Sequence, residues 1–242
     1  MIKEALQYIV GLGEAKIKEC TLPDGRKELY SDKILYRVEA PIPAAEMLCV
    51  HTLTGFMDYI KSDTDKFANK MIVEVQSPTL VRLYSQLNEY RRREYLLEAS
   101  AMVPHFPFGS FCEQEVFCIS LQSKFIPNND RELLLKFAGT VESGTITQYG
   151  DDGVTQKATI KTGLTSKGEA LIPNPVVLKP YRTFLEVDQP ESAFIFRMKE
   201  GRGAECAIFE ADGGAWQIEA MQNVKAYLEK ELEGMEQFTV IA

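Results

Sequence analysis

The stretch MIVEVQSPTLVRLYSQLNEYRRREYLLEASA, residues Met71 to Ala101, decides the fold class. Side chains alternate across a β-strand, so a period of two marks a sheet with one buried face. Val81, Leu83, Ser85 and Leu87 fall on one side of its second segment, opposite Arg82, Tyr84 and Gln86. In its third segment Tyr95, Leu97, Ala99 and Ala101 share a face opposite Glu94, Glu98 and Ser100. Three consecutive strands are therefore predicted. The connection from Asn88 to Arg93, NEYRRR, is the densest positive charge in a chain of net charge −8.

Upstream, Ile2, Leu6, Ile9 and Val10 lie on one face of a predicted helix over 2–12, with Gly11 and Gly13 as stop signals. Lys16–Cys20 and Lys33–Ala40 read as strands, with a Leu22-Pro-Asp-Gly25 turn between them. Leu53, Phe56, Met57 and Ile60 recur at helical spacing, which predicts a short amphipathic helix packed on the sheet.

Downstream, the Pro/Phe-rich loop MVPHFPFG leads into Ser110, with Glu113 three residues on. That spacing fits a capping box and predicts a helix to about Ser123 with Cys112, Val116 and Ile119 inward. Asn129 with Glu132 repeats the signal more loosely before a helix carrying Leu133, Leu134, Phe137 and Val141. From Gly144 the texture turns to β. A polar hairpin, a flap or insertion at 144–163, is expected around the turn Gly150-Asp-Asp-Gly153, from strands at 145–148 and 154–162. Residues 171–180 are held extended by their prolines, and Phe184–Val187, Ala193–Met198 and Glu205–Glu210 read as strands. Trp216, Ala220, Val224, Tyr227 and Leu228 stripe a helix over 215–233, closed by Gly234 and followed by a strand at 238–241. Helices and strands do not alternate regularly, so a doubly wound parallel sheet is disfavoured. The expectation is one α+β domain over 1–242, a mostly antiparallel sheet with flanking helices and a β-rich C-terminal half.

The composition narrows the function. Hydrophobic residues at 45% and charged residues at 26% suit a globular chain, and no stretch nears the roughly 20 apolar residues of a membrane span. The N-terminus is too broken by charge for a secretory signal, so no membrane and a cytoplasmic location are expected. Net negative charge opposes the phosphate neutralisation on which double-stranded DNA binding depends. Five scattered cysteines form no CxxC pair and read as free thiols of a reducing compartment.

No nucleophile elbow, HExxH, Walker loop or GxGxxG occurs, and no catalytic residue, metal ligand or cofactor is assigned. His51, at a predicted helix start, reads as a capping or packing residue first and a contact residue second. Arginine binds phosphate bidentately and stacks on flat rings. Tyr90, Arg91, Arg92 and Arg93 are therefore the leading ligand or interface candidates, against the plain reading of a solvated hairpin end that protects a sheet edge. Tyr181 and Arg182, after Lys179-Pro180, form a second basic-aromatic spot.

Val50-His-Thr-Leu-Thr-Gly-Phe-Met-Asp-Tyr59, the strands from Met71 to Leu87, Gln189-Pro190 with Phe194 and Arg197, and the closing helix Trp216–Leu232 with its Phe238–Ile241 strand together resemble the YfdQ-like family, encoded in phages and prophages. The resemblance spans most of the chain and rests on structural positions, so it carries over no catalytic residue. It implies a phage-derived accessory protein in a bacterial cytoplasm. The combined expectation is a homo-oligomer acting by binding or assembly. The alternatives are a protein sequestering a nucleotide-type ligand and an accessory factor in phage DNA recombination.

Overall fold

The computed structural model of the chain describes residues 2–13, 16–22, 25, 27–31, 37–38, 46–67, 69–88, 91–140, 149–151, 156–162, 166–172, 174–200 and 203–242. Helix α1 (Ile2–Gly13) opens the chain, followed by β1 (Ile17–Thr21), β2 (Lys27–Ser31) and β3 (Arg37–Val38), paired antiparallel in that order. Gly25, at φ 83°, donates to the Leu22 carbonyl at 2.9 Å, and the centre of the expected turn lies outside the described residues. Of the strand expected at 33–40, the described part is β3.

The predicted three-strand stretch forms the centre of a five-stranded sheet. The next elements are β4 (Leu48–Val50), α2 (Leu53–Ser62), β5 (Met71–Ser77), β6 (Leu80–Ser85) and β7 (Tyr95–Ser100). Antiparallel β5-β6-β7 is flanked by β4, parallel to β7, and by the last strand of the chain, parallel to β5. Thr52 starts α2, its Oγ1 accepting the Gly55 amide proton at 3.0 Å. That cap orients Leu53, Phe56, Met57 and Ile60 into a core with Val73, Val75, Val81, Leu83, Leu97 and Ala99. Two expected inward residues, Tyr95 and Leu87, are displaced. Leu83 pairs with Leu97 but Tyr84 pairs with Tyr95, a one-residue bulge that turns Tyr95 outward, 55% exposed. Leu87 lies beyond the end of β6 and is exposed too.

The next elements in chain order are β8 (Cys112–Glu113), α3 (Gln114–Lys124), α4 (Asn129–Thr140), β9 (Tyr149–Asp151), β10 (Gln156–Thr162), β11 (Ser166–Ile172), β12 (Val176–Leu178), β13 (Ser192–Glu200) and β14 (Ala204–Glu210). Strands β12-β13-β14-β8 form an antiparallel sheet on which α3 and α4 pack. Its core is aromatic, with Phe106, Phe117, Phe125, Phe137, Phe194 and Phe196, so the Pro/Phe loop supplies filling rather than a site.

Here local signals mislead. The capping box at Ser110 does not form. Cys112 and Glu113 instead pair with Cys206 and Glu205, and α3 begins at Gln114 without a side-chain cap. That shift turns Phe117, Ser120 and Leu121 inward and leaves Val116 and Ile119 51% and 58% exposed. The cap of α4 is Asn128 rather than Asn129, its Oδ1 accepting from the Arg131 amide at 2.8 Å. Leu134, Phe137 and Ala138 point inward while Leu133 stays exposed, and Val141 lies outside the described residues.

The expected polar hairpin is a separate three-stranded sheet, β11-β10-β9. Gly150 and Asp151 belong to strand β9 rather than to a turn, and β11 has no counterpart in the sequence reading. The strand expected at 145–148 lies outside the described residues. Phe184–Val187 is a turn, the Val187 amide donating to the Phe184 carbonyl at 3.4 Å. Helix α5 (Ala215–Glu231) and β15 (Phe238–Ile241) close the chain, with Ala220, Val224, Leu228 and Phe238 buried. The fold is α+β with mostly antiparallel sheets. No helix among the described residues is long and apolar enough to cross a membrane.

Candidate functional site

Helices α2 and α5 fill one side of the five-stranded sheet, and its other side carries two cross-strand rows. Thr239, Ile72, Tyr84 and Tyr95 are register partners in the first; Ile241, Glu74, Arg82, Glu98 and Cys49 in the second. Tyr84 and Tyr95 meet edge to face at 5.0 Å between centroids. The Tyr84 hydroxyl donates to Glu74 Oε2 at 2.6 Å, and Arg82 Nε to Glu98 Oε2 at 2.8 Å. Burial, then the bond to Glu74, raises the Tyr84 phenol above its ordinary range. The Glu98 carboxylate, then the Tyr84 hydroxyl, raises the Arg82 guanidinium.

The arginine connection returns onto this face. Arg91 takes the left-handed conformation at φ 57°, its amide donating to the Asn88 carbonyl at 2.9 Å, and Asn88 Oδ1 accepts from the Arg92 amide at 2.9 Å. Asparagine suits this role because its short side chain closes a turn on its own backbone. The turn directs Arg93 back across the sheet, where Nη1 donates to the Ser85 carbonyl at 3.0 Å. Arg93 then forms, with Ile72, Glu74, Tyr84 and Ile241, the lining of a cavity of about 250 Å³. Arg91 and Arg92, which precede Arg93 in the chain, are exposed, as is Lys70, whose carbonyl accepts from the Gln86 amide. Tyr90 lies outside the described residues.

The structure separates the remaining candidates from this cavity. His51 Nδ1 lies 3.0 Å from the Ser100 carbonyl, while its neighbour Thr52 caps α2. Tyr181 is half-buried and its amide donates to the Lys124 carbonyl at 3.0 Å. Arg182 is not a surface residue at all, being only 7% exposed. Its Nη1 donates to Glu210 Oε1 at 2.7 Å and its Nη2 to Ser192 Oγ. The guanidinium lies over the Trp216 ring and flanks Phe108 and Phe194. Burial lowers it to about 10, against the opposing pull of Glu210 and Asp212, so it stays charged at neutral pH. Burial favours the neutral acid of Asp212, yet the Ser192 hydroxyl, the Gly214 amide and Arg182 outweigh it and hold the carboxyl below its usual range. Arg182 Nε and Trp216 Nε1 are buried without hydrogen-bond partners among the described residues.

This network anchors a strap between the two cores. Thr183 Oγ1 donates to the Pro78 carbonyl at the β5–β6 turn, and Phe184 is buried in the core of the five-stranded sheet. Gln189 clamps the strap: Oε1 accepts from the amides of Arg182 and Thr183, and Nε2 donates to the carbonyls of Phe184 and Val187.

Three of the five cysteines converge where the sequence places them apart. Cys112 and Cys206 are register partners, and the Cys112 thiol lies 3.7 Å from the Cys206 carbonyl. Burial, and then the neighbouring thiols, pushes Cys206 up to about 12, the setting of an unreactive thiol. Among the described residues no three or more His, Cys, Asp or Glu side chains are grouped to hold a metal ion.

Sequence reasoning located Arg93 but missed its cavity partners. The alternation in β5 and β6 already turned Glu74 and Tyr84 outward. Ile241 comes from far along the chain and is brought in only by tertiary pairing. Comparison with protein-family models, curated proteins and solved structures finds no match to this chain.

Proposed function

We propose that this chain works by binding rather than by catalysis, taking a nucleotide-type ligand at the arginine end of the outer face of the five-stranded sheet. The supporting observation is the Arg93 cavity: a guanidinium, a carboxylate, a phenol and two isoleucines around one shallow space, with Arg91 and Arg92 exposed just before Arg93 in the chain. Arginine at such a rim matches phosphate geometry, and flat apolar walls match a planar ring. Long polyanions such as double-stranded DNA are repelled by the net charge of −8, whereas one nucleotide needs only the local cations. The resemblance to the YfdQ-like family supports a setting as a phage or prophage accessory protein in a bacterial cytoplasm. There the protein sequesters a nucleotide signal or serves as an accessory factor in phage DNA recombination.

The test is a melting-temperature panel of nucleotides on the full chain. Several are expected to raise the melting temperature of the native chain, and the shift disappears when Arg91, Arg92 and Arg93 are all replaced by alanine. A flat response to the whole panel overturns the reading.

A second reading, homo-oligomeric assembly, is favoured by α1. Ile2, Leu6, Ile9 and Val10 are each more than half exposed, and none of the helix's residues is buried. Isolated helices of about 12 residues are marginal in water, so such a helix gains most from an apolar partner. Light scattering behind size exclusion decides it. An oligomer that dissociates in Leu6→Glu supports assembly through α1, and a monomeric native chain ends the reading.

A further inference from the structure

The Arg93 cavity presents a hydrogen-bonding pattern more specific than its charge. Glu74 Oε2 already accepts from Tyr84, and among the described residues its Oε1 has no partner. A carboxylate has roughly four lone-pair sites, so Glu74 still offers two adjacent acceptors. Arg93 spends one of about five guanidinium N–H donors on Ser85 and lines the same space. The cavity therefore shows a ligand a donor beside a pair of acceptors. Its walls, Ile72, Ile241 and the Tyr84 ring, are apolar or aromatic.

Guanine alone among the common bases carries the complement on one edge, an O6 acceptor followed by two adjacent N–H donors. Adenine reverses the pattern, setting an amine against the guanidinium and a ring-nitrogen lone pair against the carboxylate. Cytosine sets an acceptor beside its amine, and uracil has a single N–H between two carbonyls. Size limits the occupant to a single base. About 250 Å³ lies below the roughly 300–1,000 Å³ of pockets for drug-sized ligands, which leaves sugar and phosphate outside. Arg92 and Arg91 are exposed one and two residues from Arg93, close enough along the chain to offer cations to that phosphate.

We infer that the cavity is selective for a guanine nucleotide, with Glu74 reading the two base N–H groups, Arg93 the O6 oxygen, and Arg91 and Arg92 the phosphate. This rests on the nucleotide reading above and adds the identity of the base.

The experiment titrates the full chain calorimetrically with guanosine, inosine and adenosine 5′-monophosphates. A bidentate pair discriminates by about 5- to 150-fold, so guanosine monophosphate is expected at least about fivefold tighter than adenosine monophosphate, with the inosine nucleotide, lacking one amine, between them. Glu74→Gln keeps an acceptor for Tyr84 but replaces one oxygen with a donor. It is expected to abolish the preference without lowering the melting temperature. Arg91→Ala with Arg92→Ala is expected to weaken all three nucleotides alike and preserve their order. Equal affinities, or an order unchanged in Glu74→Gln, overturn the base assignment while binding that still needs the arginines leaves the nucleotide reading standing. Binding of none of the three overturns the base assignment too, and a flat wider panel then removes the reading beneath it.

Discussion

The guanidinium carbon of Arg182 lies 3.9 Å from the ring centroid of Trp216, which joins the strap between the two cores to the first turn of α5. The same helix buries Val224 and Leu228 against the five-stranded sheet, while Arg182 is held by Glu210 and Ser192 of the four-stranded one. Glu210 is 39% exposed and stays hydrated without its partner, so Arg182→Ala is expected to cost about 1–3 kcal/mol through the hydrogen bonds lost to Glu210 and Ser192. In a double-mutant cycle with Trp216→Leu, denaturant unfolding should give a coupling of at least about 0.5 kcal/mol; additive effects would rule out an energetic role for the stacking.

Gln189 satisfies two buried amides and two carbonyls with one side chain. Leucine has similar bulk but no polar atoms, so Gln189→Leu orphans the amides of Arg182 and Thr183. A loss of at least about 2 kcal/mol is expected in chemical denaturation. Gln189→Glu, which keeps the acceptors and loses the donor, should fall between leucine and the native chain.

Two helical glycines should respond oppositely to the same substitution. A Cβ on Gly139 meets nothing within 4 Å, so Gly139→Ala is expected to stabilise by about 0.5–1 kcal/mol through backbone entropy alone. At Gly55 the added Cβ falls 3.0 Å from Thr52 Oγ1, the atom that caps α2. Gly55→Ala therefore loses about 1 kcal/mol of cap for its propensity gain, and its melting temperature should not rise. Equal stabilisation by both would show that the cap contributes nothing.

Alkaline pH should weaken the fold in a defined window. Burial, then neighbouring thiols, raises Cys206 to about 12; burial, then the bond to Asp65, raises Tyr59 to about 12. Each folded pKa exceeds its unfolded value, about 9 for the thiol and 10 for the phenol, so the unfolded chain loses its protons first. This contribution is complete below about pH 9 and drains away as pH climbs towards 12. Urea midpoints between pH 8 and 11 should fall, and fall less steeply in Cys206→Ala measured against its own midpoint at pH 8.

Elements whose burial follows their own periodicity were legible in the sequence: α2, the centre of β5–β7, β13, β14 and α5. The errors share a physical origin. A bulge at Tyr95 reverses the alternation, and pairing of Cys112 with Cys206 overrides a capping signal at Ser110. Phe184 looks like strand but plugs a core from a turn, because its partners come from the other sheet. The arginine cluster was visible as composition. Its cavity was not, since Ile241 reaches it through a parallel pairing that no local pattern encodes.

That pairing also sets an order of events during synthesis. Met71 and Phe238 are register partners, so the edge of β5 finds its neighbour only after nearly all the rest of the sequence has left the ribosome. Until then the nascent sheet carries an unprotected edge, the surface on which strands of other chains add. The last strand thus covers β5 late and, at four residues, leaves a shorter edge in its place. A ribosome stalled before residue 238 releases a product with all of β5 uncovered, a ready substrate for chaperones or for aggregation.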